Sequence, residues 1–380
     1  MKILIAPDSY KDCLTAQQVA DYIKIGLLKA NSGLQVKTIP LADGGEGTVD
    51  AIVKANNGSY VNSRVHDPLM REINARYGSS GDGKTAIIEM AAASGLELLK
   101  PDERNPWETT SYGTGELIKD ALDRGFRRII IGIGGSATND GGAGMASALG
   151  IQFLNTSGKL IKPTGGGLSE LASIDFSGLD KRIGDTEIII ASDVRNPLTG
   201  KEGASFTFGR QKGASECMIK KLDDNLKNLA EIIKRQKKID IGYLPGAGAA
   251  GGLGAGLAAF LGACMQNGFE IVKTETGLEV QCQWADIVIT GEGKTDGQTR
   301  FGKTPMGVAG TAKKFNKKVI CISGALGNNY TELYSTGFDI ILSIIDKPMQ
   351  IDEALSQAPL LLENAGALVA RMIGLTNSLN

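Results

Sequence analysis

Short apolar runs alternate with amphipathic stretches at the start of the chain. The runs 2–6 and 34–39 are rich in Ile, Leu and Val, which predicts two strands. Apolar residues recur at helical spacing over 16–30 and 46–55, and Thr15 opens a capping box at the start of the first of these helices. The chain therefore begins with two strand-helix units.

The same alternation returns near the C-terminus. Strands are predicted at 286–290, 318–323 and 338–344, each followed by a helical stretch. Strand-helix units repeated in this way form a doubly wound parallel sheet, and five of them give the flavodoxin-like strand order 2-1-3-4-5.

A long segment separates the two halves of this sheet and has an α/β pattern of its own. It begins like a β-meander, with three predicted strands between residues 59 and 90, and continues with a helix and further strands, which predicts a mixed sheet. We therefore expect two α/β domains. One is formed by residues 1–58 and 283–380, and the other is a large inserted domain of residues 59–282.

Composition and charge exclude several classes of function. The 380 residues are enough for two hydrophobic cores, and a net charge of −1 with mixed signs argues against partners such as nucleic acid or a membrane surface. The opening apolar run is too short for a signal peptide, so we expect a cytoplasmic protein. His66 is the only histidine, which argues against Ser-His-Asp and multi-histidine metal chemistry. The five scattered cysteines indicate neither a disulfide framework nor a zinc site.

Acids, hydroxyls and lysines follow three of the predicted parallel strands. They are Asp8, Ser9 and Lys11 after the first strand, Asp43 and Glu46 after the second, and Glu292, Lys294 and Asp296 after the third. In a sheet of this order the ligand crevice lies at the carboxyl ends of the first and third strands. Such loops suit phosphoryl transfer, in which carboxylates hold Mg²⁺ and lysines neutralise phosphate oxygens. The helix after Glu46 is also expected to present its N-terminus to an anion.

Residues 297–304 match the Walker A pattern G-x-x-x-x-G-K-[ST] in every letter. A true P-loop leaves its strand directly, whereas several polar residues separate Thr290 from this segment, and Pro305 removes an amide at the start of the next helix. We interpret the match as accidental. Lys303 remains a candidate phosphate ligand, and Thr304 is predicted to cap the helix.

Residues 132–137 follow a predicted strand and resemble a dinucleotide-binding fingerprint. The acid that should bind ribose is missing, since no carboxylate occurs between Asp140 and Glu170, and this argues against a nicotinamide-dependent oxidoreductase. The segment can instead present backbone amides to an anion. Asp193 directly follows the apolar strand predicted at 186–191 and is a candidate base or metal ligand.

Seven segments in matching order resemble the type I glycerate kinases, and the resemblance covers essentially the whole chain. They are residues 6–11, 42–48, 89–96, 110–116, 134–142, 192–198 and 290–303. The departures are small: the family more often has Phe and Gly where this chain has Tyr10 and Asp12, and Ala where it has Thr304. None of them changes a candidate catalytic carboxylate.

The resemblance implies transfer of phosphate from ATP to D-glycerate with Mg²⁺, at an active site in the cleft between the two domains. 2-Phosphoglycerate is favoured as the product over 3-phosphoglycerate. The alternatives are a kinase for another small hydroxy acid and a non-catalytic sugar-acid-binding protein. A homodimer is also left open.

The residues that we expect to carry this chemistry fall into three groups. The catalytic candidates are Asp193, Lys294 and Asp296. Substrate or phosphate binding is expected from Asp8, Ser9, Lys11, Asp43, Glu46, Ser136, Asn139, Arg195 and Lys303. The candidate metal ligands are Asp193 and Glu292, and the sequence leaves open which carboxylate is the base and which binds metal.

Overall fold

The computed structural model describes residues 1–300 and 303–377, and the chain divides into two compact units. Unit 1 comprises Met1–Asp43 and Phe269–Asn380, and unit 2 comprises Gly44–Gly268. Each unit contains both helices and strands around its own buried apolar cluster. The chain therefore leaves unit 1, builds unit 2 and returns.

The strands and helices are numbered in chain order. The strands are β1 (Lys2–Ile5), β2 (Gln35–Thr38), β3 (Ser59–His66), β4 (Glu72–Ser79), β5 (Thr85–Glu89), β6 (Arg128–Gly132), β7 (Gln152–Leu154), β8 (Ser173–Asp175), β9 (Glu187–Ala191), β10 (Cys264–Gln266), β11 (Ile287–Thr290), β12 (Lys294–Thr295), β13 (Lys318–Ser323), β14 (Ala325–Leu326) and β15 (Ile340–Ser343). The helices are α1 (Ala16–Ala30), α2 (Thr48–Ala55), α3 (Ala91–Ser94), α4 (Tyr112–Asp123), α5 (Ala143–Ala148), α6 (Ala204–Phe208), α7 (Glu216–Lys237), α8 (Leu253–Leu261), α9 (Gly268–Glu275), α10 (Leu278–Trp284), α11 (Thr304–Lys314) and α12 (Ile351–Asn377).

The sheet of unit 1 confirms the predicted doubly wound order. Its five strands run β15-β13-β11-β1-β2, and every neighbouring pair is parallel. The strand interiors are apolar, as expected where helices cover both faces of a parallel sheet. The capping box at the start of α1 is also present, because Thr15 and Gln18 each accept a hydrogen bond from the other's backbone amide.

Helix α12 packs against α1 and contributes to the core of unit 1. Val19, Ile23 and Leu27 of α1 share one buried cluster with Leu362 and Val369 of α12. The segment Ile351–Leu375 is long and apolar enough to cross a membrane by those two measures alone. Since its inner face is buried against α1, we interpret α12 as a core helix.

The main sheet of unit 2 is mixed, as predicted. Its order is β10-β9-β6-β5-β4-β3, with antiparallel pairing of β3, β4 and β5 and parallel pairing of the others. Strands β6 and β9 are almost entirely apolar and buried because they lie inside the sheet. A separate pair, β7 and β8, is antiparallel.

The boundaries between the units differ from those expected from the sequence. The predicted boundaries follow residues 58 and 282, whereas the observed units change after residues 43 and 268. The difference has a physical reason, because α2 packs on β4 and β5 of unit 2 instead of covering the sheet of unit 1. The α9 and α10 segment instead belongs to unit 1, where α10 contacts α11.

Candidate active site

The loops that follow β1, β2 and β11 are held side by side by backbone hydrogen bonds. The amide of Asp8 donates to the carbonyl of Gly291 at 2.8 Å, and the amide of Leu41 donates to the carbonyl of Pro7 at 3.0 Å. Gly291 is required at this crossing, since a Cβ there would lie 1.8 Å from the carbonyl oxygen of Ile322. The parallel pairing of the strands is thus continued into their loops.

These loops line a cavity of about 620 Å³ in unit 1. Six charged residues lie on its wall: Asp8, Lys11, Asp43, Glu292, Lys294 and Lys303. Ser9 also lines it, so seven of the residues selected from the sequence meet in one place. The cavity lies at the carboxyl ends of the parallel strands, where an open α/β sheet binds its ligands.

Asp8 has the most strongly perturbed carboxyl group of this cavity. The pKa of Asp8 is raised from 3.8 to about 7. Burial is the largest cause, and the negative charges of Asp43 and Glu292 contribute to the same increase. The Ser9 amide, which donates to Asp8 Oδ1 at 2.7 Å, and the nearby Thr304 hydroxyl offset part of the effect. Three acids close enough to repel one another form a site that a cation would stabilise.

Glu292 is held in a fixed orientation by neighbouring side chains. Its Oε1 accepts a 2.6 Å hydrogen bond from the Thr299 hydroxyl, and its Oε2 accepts one from Lys303 Nζ at 3.1 Å. Glu292 is buried, whereas the side chain of Lys303 remains 42 % exposed. The carboxylate is therefore positioned, and the ammonium group can still reach a ligand in the cavity.

Lys294, in β12, and Asp296, directly after β12, lie between β11 and α11. The Asp296 carboxylate accepts from the Gln298 amide at 2.9 Å and lies 3.7 Å from Lys294 Nζ. Lys294 lines the cavity, but Asp296 does not, so Asp296 supports the lysine. The Walker-like segment includes Phe301 and Gly302, which lie outside the described residues.

The helix cap predicted at Thr304 is wrong. The cap of α11 is Lys303, which has extended backbone angles, and Thr304 is already the first residue of the helix. The Thr304 hydroxyl is buried near the Asp8 carboxyl group, where it lowers the pKa of that acid, and it has no hydrogen-bond partner among the described residues. A threonine that looks like a cap is therefore a buried neighbour of Asp8.

In unit 2, Asp193 and Arg195 are exposed residues that follow β9. Asp193 Oδ1 accepts hydrogen bonds from the side-chain amide of Asn267 and, at 3.0 Å, from the backbone amide of Gly268. Two donors on one oxygen fix the direction of the carboxylate while it stays accessible to solvent. Position and exposure suit the role of base or metal ligand that the sequence suggests.

The glycine-rich loop of unit 2, residues 134–144, is organised by a buried acid. Asp140 is fully buried and accepts hydrogen bonds from the amide and hydroxyl of Ser111 and from the amides of Gly142 and Gly144. Burial raises the pKa of Asp140, and these four donors lower it. The acid thus ties the C-terminal part of the loop to the start of α4.

Lys212 is a buried lysine that contacts this loop, and the sequence offered no reason to expect it there. Its ammonium group donates to Ser136 Oγ at 2.6 Å and to the Thr138 carbonyl at 2.7 Å, and burial lowers its pKa to about 7. Asn139 is also buried and donates to Ser205 Oγ at 3.0 Å. Nothing in the sequence around Lys212 distinguishes it from the exposed Arg210, so only the fold reveals it.

The anion site expected at the N-terminus of α2 is wrong, because the chain fills it. The carboxylate of Glu89 accepts from the Val49 amide at 2.8 Å, and the nearby Gly47 amide lowers the pKa of the same acid. Burial raises the pKa of Glu89 to about 7. Glu46 is exposed and belongs to unit 2, whereas Asp43 is the last residue of the first segment of unit 1.

The comparisons with known proteins agree on one family. Residues 3–374 match the model of the glycerate kinase family. The chain is 52% identical over 354 residues to the glycerate 2-kinase of Escherichia coli (strain K12), covering 93% of both chains. It is 48% identical over 378 residues to a glycerate kinase of Halalkalibacterium halodurans, covering 100% of this chain and 98% of the relative.

A solved structure is also similar over the full length. It is a putative glycerate kinase 2 from Salmonella typhimurium LT2, with a TM-score of 0.88 and 50% sequence identity. The match covers 100% of this chain and 99% of that chain. The α/β architecture is therefore shared with that protein.

Proposed function

The chain belongs to the glycerate kinase family, and from this premise we propose that it transfers the terminal phosphate of ATP to D-glycerate. 2-Phosphoglycerate is the favoured product, and the relative from Escherichia coli, which is named a glycerate 2-kinase, supports that choice. We also propose a cytoplasmic location. The predicted active-site cleft and the homodimer stay predictions from the sequence.

The observation that carries the proposal is the meeting of three carboxylates and three lysines around the cavity of unit 1. Phosphoryl transfer needs little covalent chemistry from the protein, and positioning with charge neutralisation supplies most of the rate enhancement. Lys11, Lys294 and Lys303 would neutralise phosphate oxygens. Ser9 would donate a hydrogen bond to the same groups, and Asp296 would position Lys294.

Mg²⁺ fits the acids of this cavity. Within residues 1–300 and 303–377 no cluster of three or more His, Cys, Asp or Glu side chains is spaced to hold a metal ion alone. Mg²⁺ usually binds one or two carboxylates and completes its coordination with water and substrate phosphates. Glu292, which the Thr299 hydroxyl orients, would hold the ion together with Asp8 or Asp43. When bound, the ion neutralises charge on the transferred phosphate.

We assign roles toward D-glycerate to residues of unit 2. Asp193 would accept the proton of the attacking hydroxyl, because its carboxylate is oriented by two donors and exposed. Arg195, Ser136 and Asn139 would bind the carboxylate and hydroxyl groups of the acid. Glu46 is exposed and would act at the edge of this group. The choice between Asp193 as base and Asp193 as metal ligand stays open.

Phosphorus NMR of the product tests this function directly. The full chain is incubated with ATP, Mg²⁺ and D-glycerate, and the expected result is ADP with one phosphomonoester signal that matches 2-phosphoglycerate. A signal of 3-phosphoglycerate would correct the position of transfer. Turnover only with another hydroxy acid would correct the substrate, and binding of D-glycerate without ADP release would favour a non-catalytic sugar-acid-binding protein.

A further inference from the structure

The cavity of unit 1 has an apolar half that D-glycerate and phosphate do not explain. It is formed by Ile344, Ile345, Met349, Ile351, Leu355 and Ala358. D-Glycerate has three carbons, each bearing an oxygen, and therefore offers little apolar surface to such a wall. A different group must account for it.

This wall is built by the end of β15 and the first two turns of α12. Ile351, Leu355 and Ala358 are spaced i, i+4 and i+7, so they lie on one face of the helix. Ile351 is 73 % exposed and Leu355 is 41 % exposed, although both are large apolar side chains. Exposed apolar residues grouped beside charged ones are typical of a ligand site.

The charged half of the same cavity lies next to this wall. Lys294 and Lys303 line the cavity together with Met349 and Leu355, and its volume of about 620 Å³ is within the usual range for cofactor-sized ligands. Among the ligands of a kinase, a nucleotide combines a flat apolar base with a chain of phosphates. The division of the cavity matches the division of such a molecule.

The geometry points to the cavity of unit 1 as the nucleotide site, with the adenine of ATP on the wall of Met349, Ile351 and Leu355 and the phosphates toward Lys11, Lys294 and Lys303. This inference rests on the proposed function, since it takes ATP as the phosphate donor. It adds which unit binds ATP and which side chains contact the base. Unit 1 would bind ATP even in the absence of D-glycerate.

Calorimetric binding to the full chain tests the inference, with Mg-ADP, Mg-tripolyphosphate and D-glycerate as separate ligands. In Leu355→Gln, Mg-ADP is expected to bind about tenfold more weakly, because apolar contact with the base is lost. Mg-tripolyphosphate and D-glycerate should bind as in the wild type. The control Leu360→Gln changes a residue of α12 that is 55 % exposed and does not line the cavity, and it should leave all three affinities unchanged.

The outcomes separate this inference from the proposed function. A wild type that binds no Mg-ADP would overturn both. A wild type that binds Mg-ADP, with equal binding in Leu355→Gln, would overturn the adenine site and leave the kinase proposal standing. A change confined to D-glycerate affinity would assign the cavity to the acid instead and would also overturn the inference.

Cys13 supplies a second measurement that needs no substitution. It lines the cavity, and its Sγ lies 3.6 Å from the carbonyl oxygen of Leu355. Alkylation of Cys13 by N-ethylmaleimide, followed by mass analysis of its peptide, should be slowed several-fold by Mg-ADP but not by Mg-tripolyphosphate. Equal rates with and without Mg-ADP at saturating concentration would contradict the placement of the base.

Discussion

The cavity of unit 1 and the glycine-rich loop of unit 2 use charge in opposite ways. In the cavity, Asp8 is surrounded by other carboxylates, and the lysines on the wall extend into solvent. At the loop, Asp140 and the adjacent Lys212 are buried, and their hydrogen bonds go to neighbouring groups of the chain. One region keeps its charges for a ligand, and the other uses them to fix its own backbone.

This difference predicts which substitutions change activity and which change stability. A carboxylate that other carboxylates repel lowers the stability of the empty protein and gains interactions when a cation or ligand arrives. A buried acid with four donors stabilises the fold, and its removal leaves those donors without an acceptor.

Asp193→Asn tests an acid of unit 2 that, unlike the buried Asp140, is exposed. The substitution keeps an oxygen that can accept from Asn267 and Gly268, so the melting temperature should not change. Loss of the base should lower kcat about 1,000-fold in an ADP-release assay. Asp185→Asn, which changes another exposed acid of unit 2, is the control. Turnover near that of the wild type would remove Asp193 from the mechanism.

Asp8→Asn should separate activity from stability in unit 1. We expect kcat/KM to fall about 100-fold, because a carboxylate facing the phosphates and their metal ion is lost. The folded-state pKa of Asp8 is raised to about 7, so its contribution to stability is fully present below about pH 4 and is lost as the pH rises through 7. At pH 8 the variant should therefore melt at the same temperature or higher.

The control for this substitution is Asp21→Asn, on the exposed face of α1. It should leave both the activity and the pH dependence of melting as in the wild type. A lower melting temperature of Asp8→Asn at pH 8 would show that Asp8 stabilises the fold, and the contrast between the two regions would then fail.

Much of unit 1 could be predicted from the sequence because its signals are local. The spacing of apolar residues and the helix caps predict the strands and helices of the parallel sheet. Ligands bind such a sheet at the carboxyl ends of its strands, and this places Asp8, Asp43 and Glu292 at one edge. The assignment of α2 failed for a different reason. An amphipathic pattern identifies a helix and its apolar face, but it does not identify the sheet on which that face packs.

The chemistry of unit 2 was harder to predict because it depends on burial. Lys212 lies in a polar stretch, and only the packing around Ser136 and Thr138 makes it a buried lysine. Glu89 likewise ends an apolar strand, and its role at the start of α2 depends on contact between segments about 40 residues apart. Long-range contacts of this kind leave no local periodic signal.

Asp140→Ala should destabilise unit 2. It removes the acceptor of four buried donors, at a cost of about 1–3 kcal/mol for each donor left unsatisfied, so we expect the free energy of unfolding to fall by roughly 3 kcal/mol or more. Urea denaturation measures the change. Asp175→Ala, at a partly exposed acid of the same unit, is the control. A loss below about 1 kcal/mol would mean that the loop does not depend on Asp140.

Lys212→Met should change how stability depends on pH. The folded-state pKa of Lys212 is lowered to about 7 by burial, so the unfolded chain binds more protons above pH 7 and stability rises with pH. Relative to the variant, the wild type should gain up to about 1.4 kcal/mol per pH unit between pH 7.5 and 8.5. Lys220→Met, at an exposed position, should follow the wild type. If the free energy of unfolding changed with pH equally in the wild type and in Lys212→Met, the lysine would carry the same charge in the folded and unfolded states.

Asp12→Gly, in the loop after β1, should change stability very little. Asp12 is exposed and has a φ of 59°, so glycine would relieve strain of about 1 kcal/mol but would also increase the entropy of the unfolded chain by a similar amount. Thermal melting should therefore shift little. The corresponding change in unit 2 is Gly141→Ala, at a φ of 62°. There a Cβ would lie 2.3 Å from Leu229 Cδ2, so backbone strain and steric overlap would both destabilise the variant. If Asp12→Gly and Gly141→Ala shifted melting equally, the first loop would be as tightly packed as the second, and the proposed difference between an accessible ligand loop and a self-supporting one would be lost.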